Sequence, residues 1–162
     1  MLTQMNVRMK RLLESKDVMG CLNQELDPHL KSLVDARFVE SRGCFFLEPF
    51  LREGIADGIA VNGNRADLEC SVNTVCVPAM LDKGKTWNSY EVFVQGYKYA
   101  LEVARRLKSQ GHFKVLLCFR TWEDCPECQV QFYRIRPHNE WFAPEIDGYK
   151  LRAVMAIETL GD

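Results

Sequence analysis

Gly54-Ile-Ala-Asp57-Gly-Ile-Ala-Val61, the turn Asn62-Gly63-Asn64, the run Ala66 to Val77 and the run Ser89 to Lys108 together decide the fold of this chain. In the first piece Ile55, Asp57, Ile59 and Val61 alternate with Ala56, Gly58 and Ala60, the period-two pattern of a strand. Asn-Gly is a strong hairpin signal, because both turn residues tolerate positive φ. The returning run alternates Leu68, Cys70, Val72, Thr74 and Cys76 against Asp67, Glu69, Ser71 and Asn73, so a second strand is expected from Ala66 to Val77, ended by Pro78. Ser89 then caps a long helix with the apolar stripe Tyr90, Phe93, Val94, Tyr97, Leu101, Ala104 and Leu107. Arg105, Arg106 and Lys108 suit its negative end, and Gly111 stops it.

Outward from this centre, residues 2–14 space Leu2, Met5, Met9, Leu12 and Leu13 as a helix, with Arg8, Lys10 and Arg11 opposite. A second helix is expected from Val18 to Leu26. Asp27-Pro28 is a start signal for a third, which Leu30, Leu33, Val34 and Phe38 carry towards Gly43. Strands begin with Cys44-Phe-Phe-Leu47. The last third reads as a meander: a strand over Phe113–Thr121, a turn over Trp122–Glu127, a strand over Cys128–Arg136, a loop over Pro137–Gly148 and a strand over Tyr149–Thr159. Helices, strands, one long helix and more strands make an α+β or layered α/β domain, with a mixed, mostly antiparallel sheet and a central helix packed on it.

The 162 residues suit a single domain spanning 1–162, and 47% hydrophobic with 27% charged residues argues against disorder. A net charge of −1 supplies no chain-wide attraction for nucleic acid or membrane. No apolar run approaches the roughly 20 residues of a membrane span. The N-terminus has neither the apolar core nor the cleavage site of a signal peptide. The seven cysteines are an odd number and mostly sit among apolar neighbours, as free thiols do in a reducing compartment. A cytoplasmic location is therefore expected.

Asp57 falls on the apolar side of its strand, where a carboxylate must be paired, protonated or bound to a cation. Glu69 lies across the hairpin and is placed to share such a cation; Arg52 or Arg65 would be the alternative partner for Asp57. The Gly-Ile-Ala-Asp57-Gly strand, the acidic residue that follows, and Gln95-Gly-Tyr-Lys98-Tyr99 on a helix resemble the RecB-like branch of the PD-(D/E)XK nuclease superfamily. The resemblance covers residues 54–101 and its motifs are short. It implies that Asp57 and Glu69 bind Mg²⁺ or Mn²⁺, and that Gln95 and Tyr99 orient the site or the nucleic acid. Glu40, on the preceding helix, would be an extra acidic ligand. Lys98 would stand in for the catalytic lysine, since Ser71 occupies the position two residues after Glu69. The metal would polarise a phosphodiester and acidify an attacking water.

Cys125-Pro-Glu-Cys128, at an expected turn, offers two thiolates where a structural zinc needs four ligands, so zinc is not expected there. Asp82-Lys-Gly-Lys-Thr86 lacks the glycines of a phosphate loop. Arg120, Arg134, Arg136, Lys150 and Arg152 could form a basic surface, with Tyr133 and Trp141 to stack bases; the simpler expectation is a solvated face interleaved with Glu123, Glu127 and Glu158. His138 lies in the loop with Trp141 and Phe142. The resemblance implies a metal-dependent nuclease or phosphodiesterase, or an inactive nucleic-acid-binding relative; the alternative is a non-catalytic accessory or inhibitor protein that binds another protein or a small ligand. Self-association through a sheet edge is compatible with either.

Overall fold

A computed structural model describes residues 1–51, 64–122, 125–137 and 146–161. Residues 54–63, where a strand carrying Asp57 and an Asn62-Gly63 turn are expected, and residues 138–145 with His138, Trp141 and Phe142 lie outside the described residues. The elements in order are β1 (Leu2–Met5), α1 (Val7–Leu13), α2 (Lys16–Cys21), α3 (Pro28–Asp35), β2 (Phe38–Ser41) and β3 (Cys44–Leu47). They continue with α4 (Arg65–Val72), β4 (Val75–Cys76), α5 (Val77–Met80), α6 (Ser89–Leu107), β5 (Phe113–Trp122), β6 (Cys125–Arg134) and β7 (Ala153–Thr159). The fold is α+β.

Five strands form an antiparallel sheet in the order β1-β7-β5-β6-β4, and β2-β3 form a separate hairpin. The central strand β5 runs antiparallel to β6 from Phe113↔Arg134 to Trp122↔Cys125, and to β7 from Phe113↔Thr159 to Phe119↔Ala153. Alternation along these strands gives the sheet two apolar faces. Val115, Leu117, Phe119, Val130, Phe132, Met155 and Ile157 join the main core beneath α6. Leu116, Tyr133, Val154 and Ala156 form a second core on the other face, with Ala66 and Cys70 of α4.

Helix α6 carries the architecture. Asn88, one residue earlier than the expected Ser89, caps it: its Oδ1 accepts the Tyr90 and Glu91 N–H groups, both at 3.0 Å, and Glu91 Oε2 accepts the Asn88 N–H at 3.0 Å. This reciprocal box satisfies donors that a helix start otherwise leaves open. Gly111, at φ +129°, turns the chain into β5. Gly96 brings the helix close to the sheet, because a Cβ there would lie 2.3 Å from Cys128 Sγ. The buried face runs through Val92, Phe93, Gln95, Gly96, Tyr99, Ala100, Val103, Ala104 and Leu107. It is rotated from the expected Tyr97–Leu101 stripe: Tyr97 is half-buried, and Leu101 is 37% exposed.

Several sequence expectations are corrected. Residues 2–5 are not the first turn of a helix but the edge strand β1, in register with β7 from Leu2↔Glu158 to Met5↔Met155. Asn6 breaks the chain between strand and helix: its side-chain oxygen caps α1 through Met9 N at 2.9 Å and also accepts the Val154 N–H at 3.1 Å. Helix α3 starts at Pro28 as expected but ends at Asp35, so Glu40 lies on strand β2 rather than on a helix. The expected strand over 66–77 is helix α4 followed by the two-residue β4. Asn64 caps α4 by accepting the Ala66 N–H at 3.1 Å, and Ala66, Glu69 and Cys70 bury at helical spacing. Cys125 belongs to strand β6 rather than a turn.

Candidate functional site

Helix α4 presents Glu69 and Asn73 one turn apart to a gap between strands β3 and β6. Glu69 is fully buried. Its Oε1 accepts the Phe45 N–H at 2.6 Å, and its Oε2 accepts the Arg134 N–H at 2.8 Å. The Arg136 guanidinium forks onto both oxygens, Nη2 to Oε1 at 2.6 Å and Nη1 to Oε2 at 2.9 Å. Asn73 continues the bridge: Oδ1 accepts the Leu47 N–H at 3.0 Å, and Nδ2 donates to the Phe45 carbonyl at 2.8 Å and the Phe132 carbonyl at 3.3 Å. Two side chains thus replace the ladder that β3 and β6 would otherwise need, and they satisfy backbone groups that burial would penalise.

Four N–H donors occupy the lone pairs of Glu69, so the carboxylate has no free oxygen for a cation in this arrangement. Carboxylate metal ligands need one, and the expectation that Glu69 holds Mg²⁺ or Mn²⁺ fits this geometry poorly. Asp57, its intended partner, lies outside the described residues. Among the described residues, no group of three or more His, Cys, Asp or Glu side chains is gathered as a metal site. Glu40, placed on β2, is exposed and pairs with Arg134 at 3.2 Å.

The helical half of the resemblance lies across the sheet from Glu69. Gln95 is fully buried: its Oε1 accepts the Asp27 N–H at 2.7 Å, and its Nε2 donates to the Glu25 carbonyl at 2.9 Å. Lys98 Nζ donates to the Gln24 carbonyl. Both side chains staple the 24–27 loop to α6. Tyr99 sits in the main core at 1% exposure, and burial pushes its hydroxyl pKa up. That hydroxyl finds no hydrogen-bond partner among the described residues. None of Gln95, Lys98 and Tyr99 converges on Glu69, because α6 and α4 cover opposite faces.

The other sequence candidates separate as cleanly. Cys125 is exposed and Cys128 buried, as positions three apart on a strand point to opposite faces. Two thiols so placed do not chelate one ion. Arg120 forks onto Glu127 at 2.6 and 2.7 Å, Arg152 lies 3.9 Å from the same carboxylate, and Arg134 and Arg136 are paired as described. Arg120, Arg134 and Arg152 thus make partly exposed ion pairs, whereas Arg136 is held in the seam beside buried Glu69.

A different feature is open. Helix α1, the start of α6 and the ends of β5 and β7 enclose a cleft of about 490 Å³. Phe119 and Ala153 form its apolar floor on the α6 side of the sheet. Arg8 and Arg11, three residues apart on α1, stand over it with Leu12, Tyr90, Thr121 and Leu151 around the mouth. Both arginines are exposed, and among the described residues neither guanidinium has an ion-pair or hydrogen-bond partner. Leu151 is 76% exposed and Tyr90 39%. The sequence shows Arg8 and Arg11 only as the polar side of an amphipathic helix. Their pairing with Phe119 and Leu151 depends on how α1 packs against β7.

Fold and site together define an α+β domain whose buried polar residues hold the architecture and whose open cleft is cationic and apolar. The chain belongs to the family described as the Uncharacterized protein PM0498 family, whose profile matches residues 4–160. No curated protein and no solved structure matches the chain. Within the described residues, no helix is long and apolar enough to cross a membrane.

Proposed function

We propose that this protein acts by binding, as a non-catalytic single-domain accessory protein, rather than by metal-dependent phosphodiester cleavage. The observation that carries this reading is the saturation of Glu69: both its oxygens are taken by the Phe45 and Arg134 N–H groups and the Arg136 fork. Freeing either oxygen for a cation would expose buried N–H donors and leave a partly buried guanidinium unpaired, at several kcal/mol. Gln95 and Lys98 are likewise engaged, with backbone groups of the 24–27 loop. The α1–β5–β7 cleft offers a ligand a concave surface with a charged rim.

Calorimetric titration with Mg²⁺ and Mn²⁺, paired with cleavage assays on single- and double-stranded DNA and RNA, tests this reading. The expected result is no saturable metal heat and no cleavage. Manganese-dependent cleavage by the wild type that is lost in Asp57→Asn would overturn it and restore the nuclease reading.

A further inference from the structure

We infer that the α1–β5–β7 cleft binds a small organic phosphate: a planar apolar body carrying a dianionic phosphate monoester. This deepens the binding reading proposed above and rests on it. Three observations converge. Arg8 and Arg11 supply two guanidiniums without partners among the described residues, at spacing i, i+3, which puts them side by side on one face of α1. Two fixed monocations balance one dianion, and guanidinium forks match phosphate oxygens better than any other side chain does. The third cation of the rim, Arg120, is already neutralised by Glu127, so the free positive charge is concentrated on the α1 side.

The second observation is the floor. Phe119 and Ala153 lie beneath the arginines, and Phe119 packs edge-on against Phe93 with centroids 5.1 Å apart, which fixes its ring. Phe119 and Ala153 are only 5% and 7% exposed, so the apolar surface open to a ligand is that of Leu151 and Tyr90 above them. Apolar side chains beside a cationic rim select an amphiphile, because a bare anion leaves the apolar surface wet and a neutral aromatic leaves the arginines unpaired.

The third is the exposed lip. Leu151 and Tyr90 keep 76% and 39% of their surface in water at the mouth of the cleft, which a planar body lying over Phe119 would cover. Thr121 lines the same mouth and adds a hydroxyl that can donate to a phosphate oxygen. The cleft volume of about 490 Å³ falls within the range of small-molecule sites.

The test is titration of the full chain with 1-naphthyl phosphate, followed by calorimetry, with 1-naphthol and inorganic phosphate as separate arms. Saturable 1:1 binding is expected, at least tenfold tighter than either arm, and weakening as salt rises from about 50 to 200 mM because the ion contacts are partly exposed. Arg8→Gln/Arg11→Gln should weaken naphthyl phosphate at least tenfold while leaving the thermal midpoint unchanged, since both side chains are exposed. Phe119→Ala is avoided for its core role; Leu151→Asp should weaken binding from the apolar side instead. Inorganic phosphate binding as tightly as the ester, 1-naphthol binding as tightly, no saturable binding, or an affinity unaltered in the double arginine variant would each overturn the assignment. The two proposals fail separately: metal-dependent cleavage lost in Asp57→Asn overturns the non-catalytic reading, whereas these outcomes overturn only the ligand class of the cleft.

Discussion

Glu69 and Arg136 form a two-armed ion pair, at 2.6 and 2.9 Å, inside the seam where the β2-β3 hairpin meets the edge of the main sheet. Arg136 also donates to the Gly43 carbonyl at 2.7 Å and the Arg134 carbonyl at 3.0 Å. The pair therefore ties helix α4, the hairpin turn and the end of β6 to one point.

Removing one partner should be costly. Glu69→Gln leaves the Arg136 guanidinium, whose side chain is only 16% exposed, without its counter-charge, and a loss of about 3–5 kcal/mol is expected. Glu69→Gln/Arg136→Gln should lose less than the sum of the two single changes, because each single change already breaks the shared interaction. Urea unfolding of the four proteins measures both. A loss under about 1 kcal/mol for Glu69→Gln would show that the seam does not depend on the pair.

At the interface of α6 and the sheet, Gly96→Ala should destabilise. The new Cβ would lie 2.3 Å from Cys128 Sγ, with Leu117 Cδ1 at 3.3 Å and Val77 Cγ2 at 3.4 Å leaving little room to shift. Overpacking of this kind costs about 1–3 kcal/mol. Adding Cys128→Ala removes the sulfur and should recover part of the loss. Thermal unfolding that shows no rescue would place the strain elsewhere.

Acid should weaken the N-terminus of α6. The Asn88 N–H bonded to Glu91, with smaller help from Gln24 and Lys85, holds the Glu91 carboxyl below its ordinary value of 4.5. A carboxyl depressed in the folded state stabilises fully above its unfolded value, and that contribution is lost as pH falls through the lower, folded value. Melting temperature should therefore drop below about pH 4.5 in the wild type. Glu91→Gln should start lower at neutral pH and show a shallower acid limb. Parallel acid limbs in the two proteins would remove Glu91 from the account.

Thiol labelling should separate the cysteines by burial. Cys76 and Cys125 are exposed, whereas Cys44, Cys70 and Cys128 are buried. Burial, and for Cys44 and Cys70 the nearby Glu69 carboxylate, pushes the buried thiols up and disfavours the reactive thiolate. Reaction with a disulfide reagent in native buffer should modify Cys76 and Cys125 first, and the three buried residues only after denaturation. Cys128 reacting as fast as Cys125 would contradict the packing beneath Gly96.

The fold class was legible because it rests on local patterns. Asp27-Pro28 caps α3, Cys44-Phe-Phe-Leu47 is a strand, and the stripe before Arg105 and Arg106 forms the long helix, each through neighbours in sequence. The rotation of α6 was not legible. Gln95 is not part of the expected apolar stripe, yet it is buried because Glu25 and Asp27, about 70 residues away, offer it a backbone carbonyl and N–H. A polar side chain is buried when distant partners satisfy it, and no local period records those partners.

Glu69 makes the same point at the centre of the chain. The run 66–77 supports both an alternating and a helical reading: Leu68, Cys70 and Val72 fit the first, and Ala66, Glu69, Cys70 and Asn73 the second. Composition and periodicity settled that this is an α+β chain with strands before and after one long helix, because those signals come from contiguous residues. The choice between strand and helix at Glu69 fell to Phe45, Arg134 and Arg136. Their donors reach Glu69 across 24, 65 and 67 residues, and only the packed sheet brings them together.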